Sequence, residues 1–340
     1  MTYISNRTAR IAALATGIAL CWLLASARAN DQSTPEQDHQ RWLQHFAQRY
    51  PGARLDDYIY GAMISNPGAR EQYEQIMEFP PFLGDIEAGK KIWETPFKNG
   101  KSFSDCFPNG GRNVLGNYPY FDEKLGRVLT FENAINTCLR ANGEKEYPYG
   151  ERQQMGILTA YARTLSDGMR VNVRVDGPGA LAKYEAGKNL FFRRIGQLNA
   201  ACAGCHYFNA GNTMRMEIIS PALGHATHWP IFRGGEELMT FQGRFKRCME
   251  QMRAVPFGYD SEEWNDLEYF LSAMSNGLPL SHRYSESKSV DSRTVAARWT
   301  CSDMGLKLPP LVPLSQCIAR PSSRRNIHGF LGTPTQARAQ

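Results

Sequence analysis

The chain has 340 residues, 42% of them hydrophobic and 21% charged, with 30 Gly and 19 Pro. That composition excludes disordered, collagen-like and multi-span membrane classes and leaves room for about two domains of ~100–200 residues each. A formal charge of +6 is too small a bias to argue for nucleic acid, so the informative number is the eight cysteines, whose use depends first on redox compartment.

The N-terminus addresses the compartment. Arg7 and Arg10 precede the apolar run Ile11–Leu24, and the segment closes on Ala27-Arg28-Ala29. A charged start, a short apolar stretch and an A-x-A site predict a secretory signal peptide over 1–29. Its apolar run is short of the ~20 residues that span a bilayer, so no membrane span is expected. The mature chain then begins near Asn30 in an oxidising compartment, the periplasm. Cys21 leaves with the signal.

Residues 34–80, with Trp42, Phe46, Tyr50, Tyr58, Tyr60 and Tyr73, predict a helical lead-in packed on a first domain. After the break at Pro80-Pro81, Glu87-Ala88-Gly89-Lys90-Lys91-Ile92-Trp93 starts a helix. Cys106-Phe107-Pro108-Asn109-Gly110, then Thr130-Phe131 ahead of Cys138, then Leu165-Ser166-Asp167-Gly168 follow. Asp176-Gly177-Pro178-Gly179 predicts an interdomain linker.

The same landmarks then recur in order. Glu185-Ala186-Gly187-Lys188 opens a helix running to Phe192, and Cys202-Ala203-Gly204-Cys205-His206 follows it. Thr240-Phe241 precede Cys248 at the spacing seen before Cys138. Trp264, Leu267, Phe270, Leu271 and Met274 recur at helical spacing and predict a closing helix, followed by Ser275-Asn276-Gly277. A repeat with a period near 100 residues implies two copies of one domain.

C-x-x-C-H is the attachment sequence of c-type haem: two thiols reach the vinyl-derived carbons and the next residue sets an imidazole under the iron. Half of a zinc site or a thioredoxin-like pair are the competing readings. No second ligand pair follows for zinc, and a redox pair does not need the histidine. Helix, haem turn, loop and closing helix resemble a class I cytochrome c domain. The predicted fold is therefore mainly α, two tandem class I cytochrome c-like domains, with residues 30–176 as a degenerate domain and 177–285 as the haem domain. In the first copy Asn109 and Gly110 stand where the second thiol and the histidine belong, so no haem attaches there.

Cys106 and Cys138, left without haem in an oxidising compartment, are expected to pair as a disulfide, and Cys301 with Cys317 is a second plausible pair. Cys248 is the cysteine left over. On a helix over 241–252, Phe241, Phe245, Cys248 and Met252 share an inward face, with Arg244 four residues before Cys248 and Lys246 and Arg247 adding positive charge. A thiol beside cations is shifted toward thiolate, which binds iron and acts as a nucleophile. A buried structural cysteine is the bland alternative. Met214, Met216, Met239, Met249, Met252, His225 and His228 are the other candidates for the sixth iron ligand. Outside that role, His39, His45, His225, His228, His282 and His328 are read as surface or satisfied histidines.

The EAGK…CAGCH block at 185–206 and the stretch Thr240-Phe241-Gln242-Gly243-Arg244-Phe245-Lys246-Arg247-Cys248-Met249 resemble the SoxA family, subunits of SoxAX cytochromes called L-cysteine S-thiosulfotransferases. The resemblance covers roughly residues 40–285 and leaves the extension 286–340 without a counterpart. It implies a single-haem member with one covalently bound haem c, His206 as proximal and Cys248 as distal iron ligand, and Cys248 as the catalytic sulfur, carried as a persulfide. Arg244 matches the family's active-site arginine. Arg244, Arg247 and Lys246 suit the thiosulfate dianion, since guanidinium groups bind sulfonate oxygens in pairs. The implied reaction joins thiosulfate to a cysteine of a SoxYZ-like carrier and releases two electrons. One haem cannot store both, so a SoxX-like small cytochrome subunit is implied, with soluble cytochrome c as acceptor. The alternatives are an electron-transfer cytochrome with His/Met ligation and a non-catalytic docking subunit.

Overall fold

The computed structural model describes residues 33–281, apart from positions 81, 150–151, 215–216 and 234–236. The signal segment, Met216, His282, His328, Cys301 and Cys317 lie outside the described residues. Among the described residues no helix is long and apolar enough to cross a membrane.

The lead-in is helical. Thr34 caps α1 (Pro35–Arg49), its hydroxyl accepting from the Gln37 amide at 3.2 Å, with Pro35 in the first turn. A 3₁₀ stretch over Leu55–Ser65 and α2 (Pro67–Ile76) follow. The expected packing on the first repeat is not what α1 makes. Trp42 and Phe46, one turn apart on the buried face of α1, meet the second repeat: Trp42 lies 5.4 Å from Phe191, 5.3 Å from Tyr207 and 5.5 Å from Phe270, ring to ring. Buried Asp38 accepts from Lys188 at 2.6 Å and from Tyr184 at 2.9 Å. The sequence placed these aromatics next to the first repeat, but the ring partners of Trp42 lie 149 to 228 residues away, and only packing reveals that choice.

In the first repeat α3 (Leu83–Glu94), α4 (Phe103–Cys106), the hairpin β1–β2 (Tyr120–Asp122, Arg127–Leu129), α5 (Phe131–Ala141) and α6 (Ile157–Thr164) follow in order. The second gives α7 (Gly177–Phe192), α8 (Cys202–His206), the short pair β3–β4 (Thr213–Met214, Glu217–Ile218), the hairpin β5–β6 (Ile231–Arg233, Glu237–Met239), α9 (Phe241–Gln251) and α10 (Glu262–Met274). All three strand pairs are antiparallel and two-stranded. Gly177–Gly179, expected as a linker, are instead the first turn of α7, with Pro178 at the start where its missing N–H costs nothing.

The repeat is physical as well as textual. In each copy the opening helix crosses the closing helix at the glycine of its EAGK sequence. A Cβ on Gly89 would stand 2.2 Å from the Ile157 carbonyl oxygen, and one on Gly187 would stand 1.9 Å from that of Asp266. Both Thr130 and Thr240 cap their helices with a side-chain oxygen, directly after a hairpin strand. The ends of the two copies pair with each other: Gly168 N–H donates to Leu280 O at 2.9 Å and Leu280 N–H to Met169 O at 2.7 Å. One buried core runs through both.

The first copy is filled by its own side chains. Trp93 stacks 5.6 Å from Phe103 and 5.3 Å from Phe107, which lies 5.1 Å from Phe131, and all four are buried. Beside them Cys106 and Cys138 form a disulfide with Cα atoms 5.8 Å apart, and Asn142 donates to the Cys138 carbonyl at 2.8 Å. Asn109 and Gly110 take left-handed backbone conformations (φ 51° and 66°). The bridge closes 32 residues of chain. Cys106→Ala/Cys138→Ala is therefore expected to lower unfolding stability by about 3 kcal/mol, read from urea midpoints, while leaving haem content unchanged.

Charged groups are buried where the copies meet. Glu132 and Glu268, with Arg163 and Trp229, line a cavity of about 40 Å³. Arg163 donates to Thr227 O at 3.1 Å, Gln242 to Glu268 at 3.4 Å and Tyr149 to Glu132 at 3.5 Å. Burial, then Glu132, pushes Glu268 well above the ordinary glutamate value of 4.5, and burial raises Glu132. Native Glu268 thus holds its proton at pH values where the unfolded chain has released it. Stability contributed by that proton falls as pH rises from about 4.5 through the raised native value. Urea midpoints of Glu268→Gln should decline less than those of the parent chain across that window. Parallel declines would count against a buried neutral Glu268.

Candidate functional site

Three segments build the site. The first is the turn between α7 and α8. The left-handed Gly196 (φ +70°) lets this turn approach Met252, whose carbonyl oxygen would sit 2.3 Å from a Cβ at that position. Ala201 is extended and starts α8, a single helical turn that puts Cys202 and Cys205 on one side and His206 at its end. Asn209 donates to Gly204 O at 2.7 Å, and no atom lies within 4 Å of a Cβ built on Gly204. The lead-in buttresses this turn from below: His45 stacks on Tyr207 with ring centres 4.0 Å apart, and Arg49 donates to Ala210 O at 2.6 Å.

The second segment orients the histidine. His206 Nδ1–H donates to the Ser220 carbonyl at 2.9 Å, which fixes the tautomer and leaves the lone pair on Nε2. The Ser220 hydroxyl bonds His225 Nε2 at 2.9 Å, and the His225 ring lies 4.7 Å from that of His206. Burial, followed by His206, His228 and Arg244, holds His225 well below the usual histidine range, so it is neutral. The sequence reading of His225 as a satisfied histidine missed this neighbourhood. His225 and His228, five and eight residues past Ser220, carry no periodic signal, and only the loop's burial brings His225 to His206.

The third segment is α9. Phe241 stacks on Trp229 at 4.9 Å and Phe245 meets Trp264 at 5.4 Å. The most buried face is Phe241, Gln242, Phe245 and Met249, while Cys248 is half-buried at its edge with Met252. The expected inward face is thus rotated by about one residue. Arg244 and Cys248, one turn apart, share that edge. Lys246 lies across the helix and pairs with Glu250 at 3.8 Å, away from Arg244. Arg247 is half-buried beside Cys248.

The Cys248 thiol stands close enough to Cys202 to act on it. Burial, then Cys248, then Cys205, pushes the Cys202 thiol up to about 12, and burial raises Cys205. Of the methionines weighed as ligands, Met214 is exposed and Met239 and Met249 are buried. Two thiols for thioether bonds, an imidazole whose Nδ1 is committed to a carbonyl, and a third sulfur beside them form a donor set that fits a covalently attached haem. Among the described residues no group of three or more His, Cys, Asp or Glu could hold a bare metal ion.

Fold and site together define a c-type cytochrome built on a duplicated domain. The profile of the family described as SoxA/TsdA, cytochrome c domain, matches residues 88–171 and 186–280. L-cysteine S-thiosulfotransferase subunit SoxA of Chlorobaculum tepidum is 44% identical over 255 residues, covering 75% of this chain and 88% of that protein. The subunit of the same name from Allochromatium vinosum is 42% identical over 251 residues, 73% of this chain and 89% of that protein. Among solved structures, the crystal structure of SoxXA from P. pantotrophus matches with TM-score 0.55 and 29% identity, covering 61% of this chain and 78% of that one. The chain belongs to the SoxA family.

Proposed function

We propose that this chain conjugates thiosulfate to a cysteine of a carrier protein, as an L-cysteine S-thiosulfotransferase subunit, with Cys248 as the sulfur that carries the substrate. The observation behind it is the placement of Cys248, one turn after Arg244, beside the haem-attaching Cys202. Cys202 and Cys205 would hold one haem c through thioether bonds, with His206 and Cys248 as the residues that would bind its iron. The bound haem would supply a one-electron acceptor.

The protein's own groups do the rest. Arg244 and Arg247 bind the sulfonate oxygens of thiosulfate through charge-assisted hydrogen bonds. Lys246, held by Glu250, contributes positive field from the far side of the helix. In the first step the outer sulfur of thiosulfate bonds to the Cys248 sulfur, which gives up its proton, and two electrons depart. In the second the carrier thiol attacks that outer sulfur, its bond to Cys248 breaks, and the carrier's proton returns to Cys248. The sum is one new S–S bond on the carrier, one proton and two electrons. The second electron calls for another one-electron centre, supplied by a SoxX-like small cytochrome, with a soluble cytochrome c beyond it; the carrier is SoxYZ-like.

In this reading the chain works in the periplasm after removal of residues 1–29. Residues 30–176 serve as a haemless scaffold domain, 177–285 as the haem domain, and 286–340 as an extension carrying a Cys301–Cys317 bridge. The test is mass analysis of the Cys248 peptide from purified protein incubated with thiosulfate and an oxidant. An added sulfur or thiosulfate group is expected on Cys248. An unmodified peptide from protein that is turning over would remove Cys248 from the reaction.

A further inference from the structure

Several of the described arginines face acids. Arg70, Arg127, Arg140, Arg170 and Arg174 each lie within 3.4 Å of a carboxylate. Arg193, Arg194 and Arg253 differ from these: all three are exposed and, like Arg49 and Arg112, belong to no ion pair among the described residues, although Arg194 Nε–H donates to Asn199 O at 2.9 Å. They also lie together, because the turn after α7 is bonded to the chain leaving α9. Gln197 N–H donates to Arg253 O and Leu198 N–H to Met252 O, both at 3.3 Å. The close approach at Gly196 fixes that contact. The same two segments carry two exposed aliphatic side chains, Leu198 at 56% and Val255 at 88% exposure.

This face touches both chemical elements of the site. Its first strand of chain leads within a few residues into Cys202, and its second leaves α9 one turn after Cys248. A small dianion would use the cations but has nothing to place on Leu198 and Val255. Nucleic acid would call for a larger basic stripe than a chain with 39 basic against 33 acidic residues provides. Three cations without acidic partners on the same segments as two exposed aliphatic side chains match a protein segment that is itself acidic with an apolar side chain or two.

We infer that Arg193, Arg194, Leu198, Arg253 and Val255 form the docking face for an acidic, partly apolar segment of the protein that bears the acceptor cysteine. The inference rests on the proposed function for the existence of such a protein, and goes beyond it in fixing where and by what chemistry it binds. None of the five side chains is assigned a part in binding haem or thiosulfate, so their role is to hold the acceptor.

The test uses the holoprotein with its small cytochrome subunit, a purified SoxYZ-type carrier and thiosulfate. In Arg194→Glu/Arg253→Glu, KM for the carrier should rise about tenfold and the salt dependence of kcat/KM should flatten, with kcat unchanged. Leu198→Asp should raise KM alone. KM for thiosulfate and the rate with a small thiol acceptor should match the parent protein. Carrier KM and salt dependence equal to the parent's would overturn the assignment, as would loss of the small cytochrome in place of carrier affinity. Equilibrium binding of the carrier is measured alongside. Absent turnover in the parent protein then counts against the proposed function, while the variants' carrier affinity still decides the docking face: weakened binding supports it, and parent-like or undetectable parent binding overturns it.

Discussion

Cys248→Ala is expected to lower thiosulfate-dependent conjugation of the carrier by about a thousandfold or more, since it deletes the atom on which both proposed bonds are made and broken. The fold should survive it. α9 is held by Phe241, Gln242, Phe245 and Met249 in the core and by the Thr240 cap, whose hydroxyl accepts from Gly243 N–H at 3.1 Å. Cys248 is at the edge of that face and half-buried, so losing one sulfur atom leaves the helix's anchors in place. On the proposed assignment haem attachment depends on Cys202 and Cys205, which the substitution does not touch. The variant should therefore keep covalent haem and its urea midpoint while losing activity and the low-spin signature of sulfur ligation. Arg244→Lys offers a graded comparison. It keeps the charge but loses the bidentate fork, so KM for thiosulfate should rise while the Cys248 peptide still gains sulfur. If Cys248→Ala conjugated the carrier at the parent rate, Cys248 would carry no substrate and would only fill space at the edge of α9.

Much of this was legible in the chain because it rests on local spacing. The haem turn is five consecutive residues, and the duplication shows in glycines, threonines and cysteines at matched intervals, each of which has a steric or capping reason to recur. What stayed hidden depends on contacts between distant segments. Asp38, Trp42 and Phe46 could serve either repeat by pattern, and a hydrogen bond to Tyr184 and rings at 207 and 270 decide for the second. Gly177-Pro178-Gly179 has the composition of a linker, yet proline in a first helical turn is equally favourable, and α7 extends over it. The position of Cys248 was off by the rotation of one helix, because the hydrophobic pattern of α9 has room for two neighbouring faces. Glu132 and Glu268 gave no signal at all, since a carboxyl lining a cavity looks like a surface one until the other repeat packs against it.

Gly187→Ala is expected to be the most destabilising small substitution outside the haem turn. Ordinarily alanine in a helix interior is favoured over glycine by about 1 kcal/mol. Here the added Cβ would stand 1.9 Å from the Asp266 carbonyl oxygen, 2.5 Å from its carbon and 3.0 Å from the Leu267 nitrogen. All three are backbone atoms of α10, so no side chain can swing aside, and the helices must separate. α10 carries Trp264, Leu267, Tyr269, Phe270 and Leu271 in the core, so parting it from α7 loosens the packing of Trp42 and Phe191 on Phe270. A net loss of about 3 kcal/mol or more follows once the overpacking term exceeds the helix-propensity gain. Gly204→Ala is the control: it sits in the haem turn itself with nothing within 4 Å of the new atom, and its urea midpoint should stay near that of the parent. Gly89→Ala meets the Ile157 carbonyl oxygen at 2.2 Å, so it should also destabilise, but in the copy that the Cys106–Cys138 bridge braces. Gly187→Ala should therefore reduce haem incorporation during expression more than Gly89→Ala does, because the helices it parts are the ones that frame the haem turn. Equal haem yield from the two variants would mean that the crossing in the second copy stabilises the protein without shaping its site.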